Sequence, residues 1–579
     1  SIITDELLSA PTDLPEVTHS RLPSEWRGFG LSQHKCRSIY SEFKESEFAF
    51  LEENGFNFAR VFFGFNYLRY PDYPKDTNLI NETELRDLDQ LIAWGIEHGV
   101  HIQLSMCETP GGYSSLEIDD TEWDYIQAYW EALARRYAGI PSRYLTFDLF
   151  NEMQPGYETD RVQHGLGRLE KLVTGLRKID SERVLLTSFS SNPAPQWMEG
   201  TARLGLSLGC HPYAPVYLTN GDSSIFRKPA QVSYPYPYFP QWLYKGESLV
   251  IEGEIGGKVL WVDMWENHSF HVSFNSGEST DYVSSQMGGR SEQPIEIMIP
   301  DGVTRLDLTP MEIDISFLQI GIQSGLDSET PRSSNENYLV PHDLWDAGCY
   351  GGAYLFWDSE SGFSSERNCS PEFVYEHLIV PQLEMAEKYG VGLMVNEMGT
   401  FAACCGWDAD IKIDFDSAIL DMLEEHDISW AMCELGYIVR TFPGEAPLWE
   451  NAQWESETYT FEDGHRETIT YSPEMLNVYK EYPVLVEDVK PASSSDPLPR
   501  NDAAAPAPDS HYDELKKGDK GEKVKDLQEA LISKGYLSEK ADGIFGKNTQ
   551  TAVKEFQKAN GMKATGIADD ATQQLLFKS

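Results

Sequence analysis

Two glutamates, Glu152 and Glu397, each lie at the end of an apolar run, directly after an asparagine. The first run spans 144–153 and is rich in leucine and phenylalanine before it reaches Asn151 and Glu152. Such a run is typical of a buried strand. Residues just past the carboxyl end of a strand in a parallel barrel line the mouth where chemistry takes place. A glutamate leaving an apolar strand is therefore a candidate proton donor with a raised pKa.

The pair of glutamates suits the cleavage of a glycosidic bond. Most enzymes that hydrolyse such bonds use two carboxyl groups, which lie about 5–5.5 Å apart when configuration is retained. Glu152 and Glu397 follow predicted strands three βα units apart, so we expect them to face each other across a barrel mouth. One carboxyl must hold a proton while the other stays ionised. Asn151 is predicted to hold a sugar 2-hydroxyl.

Three further residues are predicted to support the two glutamates. Arg60 ends the second predicted strand, where its guanidinium can hydrogen-bond Glu397 and keep it anionic; a salt bridge at the rim is the alternative. His211 and Tyr213 are two residues apart, so their side chains point the same way along a strand. We expect Tyr213 to donate to the nucleophile, and His211 to contact the sugar or to orient the acid/base.

The elements that position these residues alternate between strand and helix. The alternation repeats about every 30 residues, which is typical of an α/β fold, the (β/α)8 TIM barrel. The predicted strands are 27–32, 55–63, 99–106, 144–150, 183–188, 204–213, 392–399 and 428–433, and the predicted helices are 45–54, 81–98, 120–137, 159–179, 371–389 and 416–425.

The segment between Glu152 and Glu397 is 245 residues long, whereas three barrel repeats take about 100. The excess lies at 245–337, where short strand-like pieces alternate with turn residues. This pattern predicts a β-sandwich inserted into the sixth barrel loop, with a long irregular loop as the alternative. The predicted barrel domain is then 1–244 plus 338–488.

Charge and composition bound the possible partners. The net charge is −47, which argues against nucleic acid or an anionic membrane surface and suits a neutral ligand. No apolar run approaches the length that spans a bilayer. The chain begins at Ser1, which a removed leader or a chosen boundary would both explain. The eight cysteines lack zinc-ligand spacing, and disulfides involving Cys349 and Cys369, or Cys404 and Cys405, stay open.

The last part of the chain differs in composition from the rest. Residues 489–511 form a Pro/Ala/Ser-rich segment, which predicts an extended linker. Residues 512–579 hold 12 lysines against 11 acidic residues, so the negative charge lies in the preceding part. Apolar residues at helical spacing predict amphipathic helices around a single small core, with Val524, Leu527, Leu531, Val553 and Phe556 inside.

The motifs of the long first part resemble family five of the glycoside hydrolases, the cellulase and mannanase family of retaining (β/α)8 enzymes. They are Arg27-Gly-Phe-Gly, 55–60, Asn151-Glu152, His211-Pro-Tyr213 and 395–399, in that order. The resemblance covers about 27–244 and 338–488. It implies that Glu152 is the acid/base and Glu397 the nucleophile, and that the reaction needs no metal and no cofactor.

The chain departs from that family around the sugar-binding surface. Met153 replaces a proline, and Cys107 stands where the third strand usually delivers a histidine. Cys433 or Glu434 stands where a tryptophan usually stacks under the sugar. Trp430, earlier on the eighth strand, and Tyr437 are predicted to bind or support substrate. Trp357 and Trp407 are further candidates for the stacking platform, and Trp261 and Trp265 are candidates on the sandwich, with a core position as their alternative.

Residues 512–579 resemble a peptidoglycan-binding domain of the small three-helix type. The motifs that carry this resemblance lie at 515–528, 542–549 and 552–557. It implies the bacterial cell wall as a partner, and a spacer or protein-contact module is the alternative.

The sequence as a whole predicts a secreted, extracellular enzyme, associated with the cell wall through 512–579. It is predicted to be a retaining glycoside hydrolase acting on a β-linked polysaccharide, with β-1,4-glucan as the first expectation. A mannanase or another β-glycanase is the first alternative. A non-catalytic glycan-binding protein is the second.

Overall fold

The computed structural model divides the chain into two compact units, Ser1–Val486 and Glu487–Ser579. The structure describes residues 2–31, 43–64, 82–109, 112–113, 119–153, 155, 158–190, 193–214, 236–237, 239–240, 242–264, 268–275, 277–282, 295–311, 314–323, 338–339, 352–366, 368–400, 409–440, 449, 452–482, 512–537, 540–560, 562 and 564–577. The predicted linker at 489–511 lies outside these residues, as do Trp265, Trp407, Cys349, Cys404 and Cys405.

Within the described residues, eight parallel strands form a barrel whose order in space follows the chain. They are Arg27–Leu31, Phe58–Gly64, His101–Thr109, Leu145–Asp148, Leu185–Phe189, Ser207–Cys210, Leu393–Met394 and Trp430–Met432. The first strand pairs in parallel with the eighth, and a parallel bridge from Val395 to Trp430 joins the seventh to the eighth. The ring of strands is thus closed, and the predicted (β/α)8 fold is confirmed.

Helices cover the outside of the barrel, which is why its strands are buried on both faces. The described helices of this unit are Asp5–Ser9, Glu45–Glu53, Glu82–Glu97, Asp120–Arg136, Thr159–Ile179, Pro195–Arg203, Pro371–Val374, Val380–Tyr389, Ala409–Glu425 and Pro473–Lys480. The sequence did not predict Pro195–Arg203 or Pro473–Lys480. It predicted one helix over 371–389, but a π-helical turn at Tyr375–Ile379 interrupts it. Pro381 lies just beyond that turn, and a proline removes one backbone donor and crowds the preceding turn.

The sandwich consists of two sheets. One has Glu278–Tyr282, Phe270–Phe274, Arg305–Pro310, Leu249–Gly253, Ala353–Asp358 and Gly362–Ser364 in that order. The other has Ile295–Met298, Val259–Met264, Ile315–Gln323 and Tyr338–Leu339, with Trp242–Leu243 beside the third of these. Alternate residues such as Leu260, Val262 and Met264 face the core between the sheets, as the period of a half-buried strand requires.

The sandwich extends beyond the boundary that the sequence predicted at 337. Ala353–Asp358 pairs in parallel with Leu249–Gly253, and Leu355 and Trp357 lie in the core of the sandwich. Residues 353–364, which the sequence assigned to the barrel, therefore belong to the insertion. Two parallel strands about 100 residues apart leave no hairpin signal between them, so nothing in the local pattern indicated this pairing.

Trp261 and Trp357 are buried and not available as stacking platforms. Trp357 is 3% exposed within the sandwich core. Trp261 is 1% exposed and packs in the same hydrophobic cluster as the barrel residues, on the face of its strand opposite Leu260 and Val262. The core position, which the sequence left open for Trp261, is the one observed.

The remaining short strands form three small groups. Gly112–Tyr113 pairs with the third barrel strand, and Tyr236–Pro237 pairs with Asn368–Cys369. Glu455–Thr460, Arg466–Tyr471 and Val439–Arg440 form a three-stranded antiparallel sheet, preceded by a 3₁₀ turn at Leu435–Tyr437.

The unit at Glu487–Ser579 contains the helices Glu522–Ser533, Lys547–Ala559 and Asp570–Leu576. Val524, Leu527, Leu531, Val553 and Phe556 are all buried in its core, as predicted. No helix among the described residues of either unit is both long and apolar enough to cross a membrane.

Candidate active site

Glu152 and Glu397 meet at the carboxyl ends of the fourth and seventh barrel strands. One oxygen of each carboxylate and one ring nitrogen of His211 all lie within 4.8 Å of one another. This separation is close to that of the two carboxyl groups of retaining glycosidases, about 5–5.5 Å, and shorter than the roughly 6.5–9.5 Å that leave room for a water in inverting ones. The sequence predicted that these two side chains would face each other, and the structure brings them together.

Glu397 is held from two sides. Arg60 Nη1 donates to Glu397 Oε2 at 2.6 Å, and the Tyr213 hydroxyl donates to Glu397 Oε1 at 2.8 Å. Both oxygens of this buried carboxylate therefore accept a hydrogen bond, one of them from a permanent cation. These two bonds fix the orientation of the carboxylate, and the bond from Arg60 places a positive charge directly beside it.

Arg60 is fully buried and makes bonds to more than Glu397. Its Nε and Nη2 donate to Asp148 Oδ2 at 3.1 and 2.8 Å, and Nη2 also donates to Asn151 Oδ1 at 2.8 Å. Burial acts to lower the pKa of Arg60, but the negative charges of Asp148 and Glu397 outweigh it and raise that pKa. The guanidinium is thus a fixed positive charge in the floor of the site, rather than the rim salt bridge that was the alternative.

Glu152 contacts His211. Nδ1 of His211 lies 2.7 Å from Glu152 Oε1 and 3.8 Å from Glu397 Oε2. Burial acts to raise the pKa of Glu152, but the hydrogen bond and charge of His211, together with the charge of Arg60, leave that pKa below its ordinary range. The raised pKa predicted from the apolar strand is therefore wrong, because the effects of His211 and Arg60 on the carboxyl exceed that of burial.

The backbone at Glu152 has a positive φ of 55°, which is uncommon for a residue with a side chain. The Glu152 amide donates to Ser188 O at 3.0 Å, and the Asn151 amide donates to Met106 O at 2.9 Å. Bonds to the neighbouring strands hold the chain in this conformation. Left-handed residues of this kind cluster at active sites.

The structure differs from the sequence prediction at Trp430. Trp430 is fully buried and pairs with Arg27 at the start of the first strand, whereas Arg60 pairs with Gly30 further along. Its indole Nε1 donates to Glu424 Oε1 at 2.7 Å, on the outer helix Ala409–Glu425. The side chain therefore faces the surrounding helices and not the mouth.

Tyr437 lies in the 3₁₀ turn after the eighth strand. Its ring packs edge-on to Trp449, with centroids 6.4 Å apart, and Lys412 Nζ lies 5.6 Å from its centroid. Its predicted contact with substrate stays a prediction.

Cys433 ends the eighth strand beside Tyr213 and Glu397. Burial, with the charges of Glu397 and Glu434, raises the pKa of this thiol well above its ordinary value, so it is a neutral and small side chain. Cys210 and Cys433 are free thiols.

A second layer of polar side chains lies beneath the glutamates, and the sequence reading missed it. It contains Asp148, Asn396, Ser105, Ser188 and Gln103, all buried. Their signal was available, because each is a polar residue at an inward-facing position of an otherwise apolar barrel strand. A buried charge needs partners, so Asp148 in particular marks a network.

The cluster of Glu152, His211 and Glu397 could also hold a divalent cation by its geometry. Each of the three ligand atoms already has a hydrogen-bond partner, and the Arg60 cation contacts Glu397 directly. This arrangement favours the exchange of protons over the binding of a metal.

Two known domain families match this chain. Residues 19–258 match the cellulase family, glycosyl hydrolase family 5, and residues 520–576 match the putative peptidoglycan binding domain. Among curated proteins, the spore cortex-lytic enzyme of Bacillus cereus is 37% identical over 65 residues, which are 11% of this chain. This chain spans about a quarter of the length of that relative (25%).

Solved structures give matches to both regions. A hyperthermophilic endo-β-1,4-glucanase in complex with substrate is 11% identical, with 80% of this chain and 100% of that chain covered and a TM-score of 0.41. Endoglucanase Cel5A from Thermotoga maritima has the same identity and coverage, with a TM-score of 0.42. The N-terminal domain of SleB is 34% identical, over 12% of this chain and 96% of that chain, with a TM-score of 0.12. These values are too low for the similarities to define a substrate.

Proposed function

We propose that this chain, whose residues 19–258 belong to the cellulase family (glycosyl hydrolase family 5), is a retaining glycoside hydrolase that cleaves a β-linked polysaccharide. The observation that carries the proposal is the close approach of two carboxylates at the mouth of the barrel, with oxygens within 4.8 Å of each other. Their different surroundings support different roles, since enzymes of this kind need one carboxyl as an acid and the other as an anion.

In the proposed reaction Glu397 is the nucleophile. Its carboxylate attacks the anomeric carbon while the bond from that carbon to the bridging oxygen breaks, and Glu152 transfers a proton to that oxygen. Water then attacks the anomeric carbon of the glycosyl ester and gives a proton to Glu152. The bond from that carbon to Glu397 breaks, and the Glu397 carboxylate is released. Two inversions at one carbon give net retention.

The supporting residues act on charge in this scheme. Arg60 and Tyr213 hold the Glu397 carboxylate in place through the bonds at 2.6 and 2.8 Å. Asn151 is oriented by Arg60 at 2.8 Å toward a sugar hydroxyl. Glu152, which delivers the proton in this scheme, has its Oε1 2.7 Å from His211 Nδ1, so the two side chains can share that proton. The acid is thus the pair and not an isolated carboxyl with a raised pKa.

The substrate we propose first is a β-1,4-glucan, because the matched family is described as a cellulase. A mannan or another β-glycan is the alternative. Cys433 favours this alternative, because a small buried thiol lies beside Tyr213 and Glu397, where the resemblance implies a stacking ring. A wider subsite would admit a differently shaped sugar.

A panel of soluble β-glucans and mannans, read by the release of reducing ends, tests the activity and ranks the substrates. We expect turnover on at least one of them, with glucan first. Binding to these glycans without any turnover would instead support the second class, a non-catalytic glycan-binding protein. Proton NMR of the first product formed distinguishes retention from inversion of configuration.

The assignment of Glu397 has its own test. Glu397→Ala is expected to lose turnover by at least about 10⁴-fold, as a covalent nucleophile would, and azide should restore part of it with a product of inverted configuration. Asn151→Ala is a matched variant in the same site that keeps both carboxylates, and azide should not affect its product. Wild-type turnover in Glu397→Ala would refute the nucleophile.

The match of residues 520–576 to a peptidoglycan binding domain supports a further proposal. We propose that this unit attaches the enzyme to bacterial cell wall, outside the cell, so that the hydrolase unit acts on glycan near that wall.

A further inference from the structure

We propose that Asp148 is a positioning residue for both carboxylates of the site: it orients Glu397 through Arg60, and Glu152 through Asn396 and His211. This inference rests on the proposed function, since it assigns the source of the geometry on which that function depends. Asp148 is the last residue of the fourth barrel strand and is fully buried four positions before Glu152.

The first arm of the arrangement runs to the nucleophile. Asp148 Oδ2 accepts from Arg60 Nε and Nη2, and this two-point contact fixes the plane of the guanidinium. The third nitrogen, Nη1, is then aimed at Glu397 Oε2. A planar guanidinium held at two nitrogens has no freedom to rotate, so the position of Asp148 decides where the Arg60 charge meets Glu397.

The second arm runs to the acid/base. The amide nitrogen of Asn396 donates to Ser188 Oγ and to Gln103 Oε1 at 2.8 Å each, and lies 3.4 Å from Asp148 Oδ2. Ser188 in turn donates to Asp148 Oδ2 at 2.6 Å. The amide nitrogen therefore faces acceptors, and the amide oxygen faces His211 Nε2 at 3.0 Å.

This orientation fixes the proton on His211. An amide oxygen only accepts, so Nε2 carries the hydrogen. In a neutral ring Nδ1 then has none, and its contact of 2.7 Å with Glu152 Oε1 requires one shared proton. That proton is the one a general acid delivers. The carboxylate of Asp148 thus determines, through an amide, that the pair of Glu152 and His211 holds a proton.

The network is closely packed at Gly209, and Asp148 uses only one of its two oxygens in it. A Cβ at Gly209 would lie 2.5 Å from Asn396 Oδ1 and 2.6 Å from Ser188 Oγ, so this glycine allows the Asn396 side chain to approach. Asp148 Oδ1 has no hydrogen-bond partner among the described residues, and all the donors named above converge on Oδ2. A purely structural aspartate would be expected to use both oxygens.

The variant Asp148→Asn tests the proposal, since it keeps size and removes the charge. The amide of Asn396 is then free to turn, which allows His211 to carry its proton on Nδ1 and to stabilise an ionised Glu152. The charged or titratable groups that face Glu152 and His211 are Arg60, Asp148, Glu397 and Tyr213. The loss of the Asp148 charge also favours an ionised Glu152. The alkaline limb of kcat/KM should move to lower pH by about one unit.

Two substrates separate the two arms. The first is an aryl glycoside whose leaving group is an acidic phenol. The phenolate leaves without protonation, so kcat/KM on this substrate depends on the nucleophile and not on the acid. Asp148→Asn should lose about 100-fold on this substrate as well as on an unactivated glycan, as displaced catalytic groups do. Asn396→Ala, which breaks only the second arm, should lose at least 10-fold on the glycan and less than 3-fold on the aryl glycoside.

Thr146→Val is the matched control. Thr146 lies two residues earlier on the same strand, is fully buried and contacts His101 Nε2 at 2.8 Å. Burial lowers the pKa of His101 to about 3, so this change alters no charge at working pH. Activity per folded molecule and the alkaline limb should stay as in the wild type. If Asp148→Asn behaved like this control, with its loss explained by the folded fraction alone, the proposal would be overturned.

A readout without turnover keeps this inference separate from the proposed function. Nitrogen-15 NMR of histidine-labelled full-length protein reports which ring nitrogen carries the hydrogen, and His211→Gln assigns the signal. We expect Nε2–H in the wild type and Nδ1–H in Asp148→Asn. Inactivity of the wild type on every glycan would refute the proposed function, whereas an unchanged His211 signal in Asp148→Asn would refute the second arm.

Discussion

Glu152 combines a proposed catalytic role with a backbone conformation that a side chain disfavours. Its φ of 55° costs about 1 kcal/mol or more for a residue with a Cβ. We therefore expect Glu152→Gly to be more stable to urea than Glu152→Ala by about 1 kcal/mol, although both should be inactive. The same comparison at Ser188, which lies in the strand Leu185–Phe189, should favour alanine, because glycine weakens a strand. Equal stability of the two Glu152 variants would contradict strain at this residue.

The contact of Glu152 with His211 also predicts how stability depends on pH. The pKa of Glu152 is lowered in the folded protein, so its contribution is present above the unfolded pKa of about 4.3 and is lost as pH falls through the folded value. Glu152→Gln keeps the shape and the backbone strain but cannot ionise. At pH 5.5, above that unfolded pKa, the wild type should be more stable than Glu152→Gln by about 1 kcal/mol.

At pH 3 that difference should largely disappear, because the protonated glutamate then resembles the glutamine. Urea unfolding of both proteins at the two pH values measures it. A difference that stays constant from pH 5.5 to pH 3 would mean that Glu152 is not held ionised by His211.

The residues that the sequence could identify are those at strand ends. Glu152, Glu397 and Tyr213 follow apolar runs, and this position indicated that they face one mouth, whereas Arg60 is the third residue of the strand Phe58–Gly64. Asp148 lies inside such a run, and one polar residue among apolar ones was not interpreted as part of the site. The prediction that Trp430 supports the substrate was wrong. Its register with Arg27 puts it at the start of the strand, and periodicity does not provide register.

At the scale of elements, the C-terminal unit is built around a repeated hydrogen-bond arrangement. Gln528 accepts from the Gly543 amide and donates to Ile544 O and Thr549 Oγ1. Gln557 does the same with the Gly566 amide, Ile567 O and Thr572 Oγ1. Each glutamine joins a helix to the turn that begins the next, so the unit consists of two similar halves.

Because Gln528 is buried and satisfies several backbone and side-chain groups, its removal leaves these groups unpaired. We expect Gln528→Ala to lower the free energy of unfolding of this unit by about 2–4 kcal/mol. Calorimetry of the full chain should show the loss in one transition only, since the other unit has its own cores. Gln574→Ala is the control, because that side chain is exposed and donates to Asp570 on the same helix. A similar loss there would contradict the interpretation.

The elements themselves were largely predictable from local patterns. All eight barrel strands were found, and the helix Thr159–Ile179 was predicted with its observed bounds, because apolar spacing in a (β/α)8 barrel is set by burial on known faces. The sandwich was located, but its last strands at 353–364 were not. Ala353–Asp358 pairs with Leu249–Gly253, which is a long-range contact. The pattern of a short alternating run does not indicate which strand it pairs with.

At the scale of the molecule, charge and composition divide the chain as the contacts do. The chain has a net charge of −47, and its negative charge lies in the residues before 512, whereas the 12 lysines and 11 acidic residues of 512–579 nearly balance. The two units Ser1–Val486 and Glu487–Ser579 each have a hydrophobic core of their own. A core that is complete within one unit does not require the other for folding, so we expect the proposed catalysis and the proposed attachment to be separable.

A chain that ends at Val486 should therefore keep its turnover of soluble glycan, within about 2-fold, and lose its binding to insoluble peptidoglycan. Sedimentation with purified bacterial cell walls measures the binding, and reducing-end release measures the turnover. The variant Gln528→Ala provides an intact chain with a weakened C-terminal unit, so its binding should fall with temperature before its turnover does. Cell-wall binding that survives in the truncated chain would place attachment in the hydrolase unit. Loss of soluble turnover on truncation would show that the unit after Val486 also supports the barrel.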